Sequence, residues 1–223
     1  MVDDAPSDLV HDLFGETVFG GHRLGAPVIG TAEVISSVSR RTIKAHHRAA
    51  YAPHNVVLAA AGNVRHAELV ALVERVLPEI PSGPTATLRR LPLERVPPPQ
   101  LRFLAKDTEQ YHVCIGAPGI SRMDDRRYAM TLFDAILGGS ASSRLFQEIR
   151  EKRGMAYSVF SFVSHHQETG QLGVYVGTRE ENVGACMEIV AAQIAELAAG
   201  RIAPAELQRA KDNVKGRILL AME

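Results

Sequence analysis

The chain has 223 residues, of which 46% are hydrophobic and 22% are charged, with 25 basic and 25 acidic side chains. This is ordinary globular composition, with enough apolar residues for one large core or two small ones. Because the formal net charge is zero, no long-range field attracts nucleic acid or an anionic membrane, and we expect neither as a partner.

The first 80 residues are predicted to be mainly helical around one buried strand. A first helix is expected to end at Phe19, before two glycines, and Ser39 is a candidate cap for a second helix over residues 40–50. The run NVVLAAAGN, residues 55–63, predicts a strand that is buried on both faces. The apolar spacing after it predicts an amphipathic helix, with Leu69, Leu72, Val73 and Val76 on one side.

Residues 81–100 are the one sharp break in composition, because they contain six prolines. Proline prevents a continuous helix and holds the chain in extended geometry. We interpret this segment as a linker between two folded parts. The alternative is a long surface loop within one domain.

Residues 101–223 are predicted to combine strands and helices. Strands are expected at 101–105 and 111–116, and the run AYSVFSFVSHH followed by LGVYVGT predicts a hairpin. Helices are expected from Asp124 to the glycines at 138 and 139, over 143–153, over 183–197, and from Pro204 onward. The predicted fold class is therefore α+β, with helices packed on one face of a mostly antiparallel sheet.

The sequence also predicts a soluble, cytoplasmic protein. Its two cysteines, Cys114 and Cys186, form no C-x-x-C pair, which is typical of a reducing compartment. The opening residues MVDDAPSDLV lack the basic and apolar regions of a signal peptide. The longest apolar run, residues 56–61, is too short to cross a bilayer.

No local spacing in the chain predicts a metal site. His46–His47 and His165–His166 are adjacent pairs, and neighbouring side chains on a helix or strand point in different directions. No H-x-x-E-H motif or i, i+4 histidine pair is present, so we predict no metal ligands in this chain. The run GGSASS lacks the phosphate-binding glycine patterns and is explained by one helix ending before another begins. A serine nucleophile is equally unsupported, because no G-x-S-x-G elbow occurs.

The candidate site is the segment RLFQEIREKRGMAYSVFS, residues 144–161. A charged amphipathic helix ends at Gly154 and the chain enters a strand through Tyr157, so Arg150 and Tyr157 are expected to face one spot. A guanidinium and a phenol are donors suited to a peptide carbonyl or a developing oxyanion. On these physical grounds alone a plainer interpretation is favoured, in which Arg150 is a solvated helix charge and Tyr157 a half-buried strand aromatic.

Three segments resemble the pitrilysin/insulinase family of zinc metallopeptidases, in the branch of mitochondrial processing peptidase and its bacterial relatives. They follow one another along the chain in the same order as in the family. SSRLFQEIREKRGMAYSVFS resembles the family's signature in its C-terminal lobe. DDAPSDLVHDLFGETVFGGHRLGAPVIGT resembles the stretch after its zinc site, and YAPHNVVLAAAGNV resembles its Y-x-P-x-N…G strand motif. The resemblance implies two homologous lobes, the first of them incomplete. Residues 1–80 are then the second part of the N-terminal lobe, 81–100 the linker, and 101–223 the C-terminal lobe, truncated at its end.

The resemblance also implies a function. The family binds zinc through an H-x-x-E-H helix and a later glutamate. The resemblance implies that both the helix and the glutamate precede Met1. We therefore expect zinc in the full-length protein and none in this chain, and an endopeptidase that cuts peptides or unfolded precursor proteins, with this chain alone inactive. Arg150 and Tyr157 are implied to bind the substrate backbone, and Tyr157 also to be catalytic by stabilising the tetrahedral intermediate. A homodimer of the full-length protein is implied, and the alternative is a non-catalytic partner or scaffold subunit of the same fold.

Overall fold

The computed structural model describes residues 4–77 and 98–222. The chain divides into two compact units, Met1–Val28 with Leu91–Glu223, and Ile29–Arg90. Most of the predicted linker, residues 81–97, lies outside the described residues, so the linker and the lobe boundaries stay predictions.

Seven α-helices and three strands are present in the described part of the chain. The helices are α1 Pro6–Phe19, α2 Ala32–Ser37, α3 Arg40–Ala50, α4 His66–Val76, α5 Arg127–Leu137, α6 Val183–Ala198 and α7 Pro204–Leu220. The strands are β1 Tyr111–Gly119, β2 Ala156–His165 and β3 Gly170–Thr178. Single 3₁₀ turns occur at Arg23–Gly25, Pro53–Asn55 and Glu180–Asn182, and a π-helical turn at Phe146–Glu151. None of these described helices is both long and apolar enough to span a membrane.

The three strands form one antiparallel sheet in the order β1-β3-β2. The arms of the predicted hairpin are β2 and β3, and Val174 of β3 lies between Ser161 of β2 and Ile115 of β1. The α+β class with an antiparallel sheet is thereby confirmed. The strand predicted at 101–105 is wrong, because those residues have no regular structure and Leu101 is 94% exposed. Apolar composition does not make a strand where no neighbour is present to pair with it.

Helices α5, α6 and α7 are on the side of the sheet that holds the main core. Side-chain alternation places Val174 and Val176 of β3 and Val159 of β2 on this face, and all three are buried. The core consists of these valines with Ala135, Ile136, Leu137, Leu145, Ile149, Ala156, Cys186, Val190, Leu197 and Ala210. Removing so much apolar surface from water is the main stabilising term for this unit, at about 25 cal/mol per Å².

Helix α1 covers the opposite face of the same sheet. It buries Phe14, Val18 and Phe19, and Phe162 of β2 packs against them. Glycine at position 116 permits this close approach, because a Cβ there would lie 2.7 Å from the Phe14 ring. The sequence predicted this helix and its end at Phe19. Helices therefore cover both faces of this sheet, and not only the one face that was expected, because Cys114 and Phe162 give the second face an apolar surface.

In the unit Ile29–Arg90, helix α3 begins as the sequence predicted. The Ser39 hydroxyl accepts a hydrogen bond of 3.1 Å from the Thr42 amide and so caps the helix. The strand predicted at 55–63 is wrong, because the segment has no regular structure after the 3₁₀ turn and Val57 is 92% exposed. A strand needs a hydrogen-bonded neighbour, and the described residues of this unit contain no other strand. Among them only Ala52 is buried.

Candidate functional site

Arg150 lies on the π-helical turn Phe146–Glu151, between α5 and β2. The sequence predicted an ordinary α-helix here. The turn is wider than that, because the Lys152 amide donates to the carbonyl of Gln147, five residues back, at 2.9 Å. Ile149 is fully buried and fixes the turn to the core, which leaves the next side chain, that of Arg150, at the surface and 34% exposed.

A β-bulge presents Tyr157 at the start of β2. Ala156 lies opposite Thr178 and Ser158 lies opposite Gly177, so Tyr157 is one extra residue on its strand. The bulge lets Ala156 turn into the core, while Tyr157 stays 78% exposed. Tyr157 is therefore not the half-buried strand aromatic of the plainer interpretation.

The guanidinium of Arg150 lies close to two aromatic rings. Its central carbon is 4.5 Å from the centroid of the Tyr157 ring and 4.8 Å from that of the Phe146 ring. Its Nη1 donates a hydrogen bond of 2.9 Å to the backbone carbonyl of Tyr157, and its Nε lies 3.7 Å from a carboxylate oxygen of Glu151. The structure thus brings the two predicted site residues together. Within the described part of the chain, the Tyr157 hydroxyl has no hydrogen-bond partner, so its donor is available at the surface.

An open groove of about 550 Å³ runs along the outer edge of β2. Seven consecutive residues, 157–163, line it. Because side chains alternate between the faces of a strand, such a run can line only a groove that follows the strand's backbone. The strand β2 lies at an edge of the described sheet, so alternate backbone amides and carbonyls point away from β3. Phe146, Arg150 and Tyr157 lie at one end of this β2 groove.

A half-buried carboxylate, that of Asp134, lines the same groove near the end of α5. Ser161 donates a hydrogen bond of 2.6 Å to its Oδ1. Burial raises the pKa of Asp134, while this hydrogen bond and the charge of Arg217 act in the opposite direction. Gly138 allows the close contact between the two elements, because a Cβ there would lie 2.3 Å from the Ser161 amide nitrogen. This pair could not be predicted from the sequence, because its members are far apart in the chain and share no motif.

The histidines named in the sequence analysis do not line this groove. His165 donates through Nδ1 to the carbonyl of Ile120 at 2.9 Å, and His47 stacks on Tyr51. On the other face of the sheet, His11 of α1 lies against the rings of Phe160, Phe162 and Tyr175. In residues 4–77 and 98–222, no three His, Cys, Asp or Glu side chains are placed to hold a metal ion.

The α+β fold and the sequence of the segment 144–161, which contributes to the groove, are those of a domain from a peptidase family. The chain belongs to the M16 peptidase family, because the family model described as the Peptidase M16 inactive domain matches residues 37–214. This finding confirms the resemblance to the pitrilysin/insulinase metallopeptidases.

Bacterial relatives are similar along the whole chain. All of it aligns, at 37% identity over 232 residues, with 50% of an uncharacterized zinc protease of Streptomyces coelicolor. All of it also aligns, at 34% identity, with 54% of YmxG of Bacillus subtilis, which is likewise named an uncharacterized zinc protease. The chain therefore spans about half the length of the curated relatives it matches.

Solved structures show the same fold. A peptidase M16 inactive domain from Pseudomonas fluorescens superposes with a TM-score of 0.81 at 27% identity, covering 96% of this chain and 52% of that one. A chain of complex III2 from Candida albicans gives a TM-score of 0.84 at 21% identity, covering 98% of this chain and 53% of the other. At that identity the second likeness shows the fold alone.

Proposed function

We propose that the full-length protein is a zinc-dependent endopeptidase that cuts peptides or unfolded precursor proteins, and that this chain contributes its substrate-binding groove. The observation that carries the proposal is the Arg150–Tyr157 pair at one end of the β2 groove. Membership of the M16 peptidase family, and relatives that are named zinc proteases, support it.

Arg150 binds the substrate backbone in this proposal. A guanidinium is always charged and carries five N–H donors in a rigid fork. One of them bonds to the Tyr157 carbonyl, which fixes the plane of the group and leaves other donors for peptide carbonyls. Because a charged donor attracts a carbonyl in the ground state as well as in the transition state, Arg150 contributes to binding and to turnover.

Tyr157 is the catalytic residue that this chain supplies. Its hydroxyl, on an exposed side chain, donates one hydrogen bond to the carbonyl oxygen of the scissile peptide bond. That bond strengthens as negative charge builds on the oxygen in the tetrahedral intermediate. A donor of this kind therefore acts on turnover more than on substrate binding.

The rest of the groove holds the substrate in an extended conformation. A peptide laid against the outer edge of β2 bonds to the backbone groups that face away from β3, as an added strand. Seven residues of strand, 157–163, correspond to roughly 23 Å of extended chain. This mode of binding selects unfolded or flexible segments, because a folded protein does not offer a free strand.

The proposed zinc belongs to the full-length protein and not to this chain. The side chains in its described residues do not fit a zinc site, since none of them form a ligand set. The chemistry assigned to this chain is therefore limited to binding, orientation and hydrogen-bond donation. A homodimer is also proposed and rests on the family resemblance alone. A cytoplasmic location is proposed from the two cysteines, which form no C-x-x-C pair.

Hydrolysis of internally quenched peptides by the full-length protein tests the proposal. Zinc chelation should abolish hydrolysis, and Arg150→Ala should lower kcat/KM by about 10- to 100-fold, the cost of one charged hydrogen bond. The matched control is Arg153→Ala, because Arg153 lies just after the same turn and bonds instead to the Glu148 carbonyl. The control should stay within about twofold of the wild type. A full-length protein that hydrolyses no peptide would favour the alternative, a non-catalytic partner or scaffold subunit.

A further inference from the structure

Phe146 is an aromatic residue that the hydrophobic core does not use. It is half-buried, and it belongs to neither of the two buried clusters in the described chain. Its ring lines the β2 groove and lies 4.8 Å from the Arg150 guanidinium. The ring therefore contributes to the groove and not to the hydrophobic core, in contrast to the buried side chains near it in sequence.

Two pairs of residues with the same spacing have different roles at the π-helical turn. Leu145, which directly precedes the turn, and Ile149 are four residues apart, and both are fully buried in the core. Phe146 and Arg150 are also four residues apart, and both line the groove. Residues at this spacing are neighbours on a helical surface, so the buried pair fixes the turn while the second pair meets at the groove.

Two aromatic rings and one hydrogen bond hold the guanidinium. Its central carbon lies 4.8 Å from the centroid of the Phe146 ring and 4.5 Å from that of the Tyr157 ring. Stacking on aromatic rings orients the planar group, and the bond to the Tyr157 carbonyl fixes its direction. Without Phe146, the guanidinium would lose one of its two ring contacts and the long side chain would regain rotamer freedom.

We infer that Phe146 is a positioning residue for Arg150. It holds the guanidinium in the plane in which Arg150 grips a peptide backbone, and it touches no reacting atom itself. The inference rests on the proposed function for its catalytic consequence. Its structural content, the orientation of Arg150 by the Phe146 ring, stands on the geometry alone.

The kinetic test compares Phe146→Leu with Phe146→Tyr in the full-length protein. Loss of the ring should lower kcat/KM by about tenfold, mainly through a higher KM, because a freely moving guanidinium grips the peptide less well. Tyrosine keeps the ring and should keep kcat/KM within about twofold of the wild type. Equal losses in the two variants, or no loss in Phe146→Leu, would overturn the inference.

A double-variant cycle and a spectroscopic signal separate this inference from the proposed function. In an Arg150→Ala background, Phe146→Leu should lower kcat/KM no further, and a further tenfold loss would show that Phe146 acts independently of Arg150.

If Arg150→Ala alone has no effect on kcat/KM, the proposed function is wrong, and NMR then decides the positioning role. The Nε–Hε signal of Arg150 should be resolved and slowly exchanging in the wild type and in Phe146→Tyr. It should be averaged in Phe146→Leu, and an unchanged signal there would refute the positioning role.

Discussion

Replacing Tyr157 by phenylalanine removes one hydroxyl and leaves the rest of the site in place. The aromatic ring that stacks on Arg150 remains, and the Tyr157 carbonyl that accepts from Arg150 belongs to the backbone. Because the side chain is 78% exposed, the variant should change the free energy of unfolding by no more than about 0.5 kcal/mol. If the hydroxyl stabilises the oxyanion, kcat should fall by roughly 10²–10³, or about 3–4 kcal/mol, with a much smaller change in KM.

The assay is steady-state hydrolysis of a quenched peptide by the full-length protein, beside thermal melts of each variant. Tyr128→Phe is the matched control, since Tyr128 is also exposed but its hydroxyl accepts a hydrogen bond of 2.6 Å from Arg127 outside the groove. The control should keep its turnover. Wild-type kcat in Tyr157→Phe, or a loss that follows a lower melting temperature, would refute the assignment.

Three further predictions concern stability and association. Gly138→Ala should destabilise the chain by about 1–3 kcal/mol in urea unfolding, because its Cβ would meet the Ser161 amide. Gly184→Ala in α6 is the control, because a Cβ there has open space and should not destabilise the chain. Equal free energies of unfolding in the two variants would contradict the prediction. The free energy of unfolding should fall as the pH drops below 6.5, because burial lowers the pKa of His11 and the unfolded state then binds more protons. The charges of Asp8 and Asp12 act in the opposite direction on this pKa. An unchanged pH dependence of stability in His11→Gln would contradict the prediction. Finally, this chain should self-associate through the exposed apolar surface around Val57, and Val57→Lys should weaken the association; a wild-type chain that sediments as a monomer at high concentration would count against it.

Local rules predicted much of the fold. The Ser39 cap, the β2–β3 hairpin and the start of α7 at Pro204 depend on residues that are close in sequence, and all three are present. The strand predicted at 55–63 fails for a non-local reason. Its apolar residues fit a strand, but a ladder needs a partner, and the described residues of that unit provide none.

The candidate site was predicted only in part. The motif placed Arg150 and Tyr157 near one another, but the way they meet depends on a bulge and a wide helical turn that no spacing rule indicates. The contact of Phe146 with Arg150 was missed, although their spacing of four residues on a predicted helix was a usable signal. Asp134 and Ser161 gave no such signal, because tertiary packing alone brings them together.

The most direct test of the central claim is to map where a substrate peptide lies on the full-length protein. A peptide that carries a photoreactive benzophenone can be crosslinked to the zinc-depleted protein, and the modified residues identified by mass spectrometry. Crosslinks should fall on Phe146 and on residues 157–163, and excess unlabelled peptide should remove them. Crosslinks confined to other surfaces of this chain, or labelling of the groove that unlabelled peptide does not compete away, would contradict a substrate groove along β2.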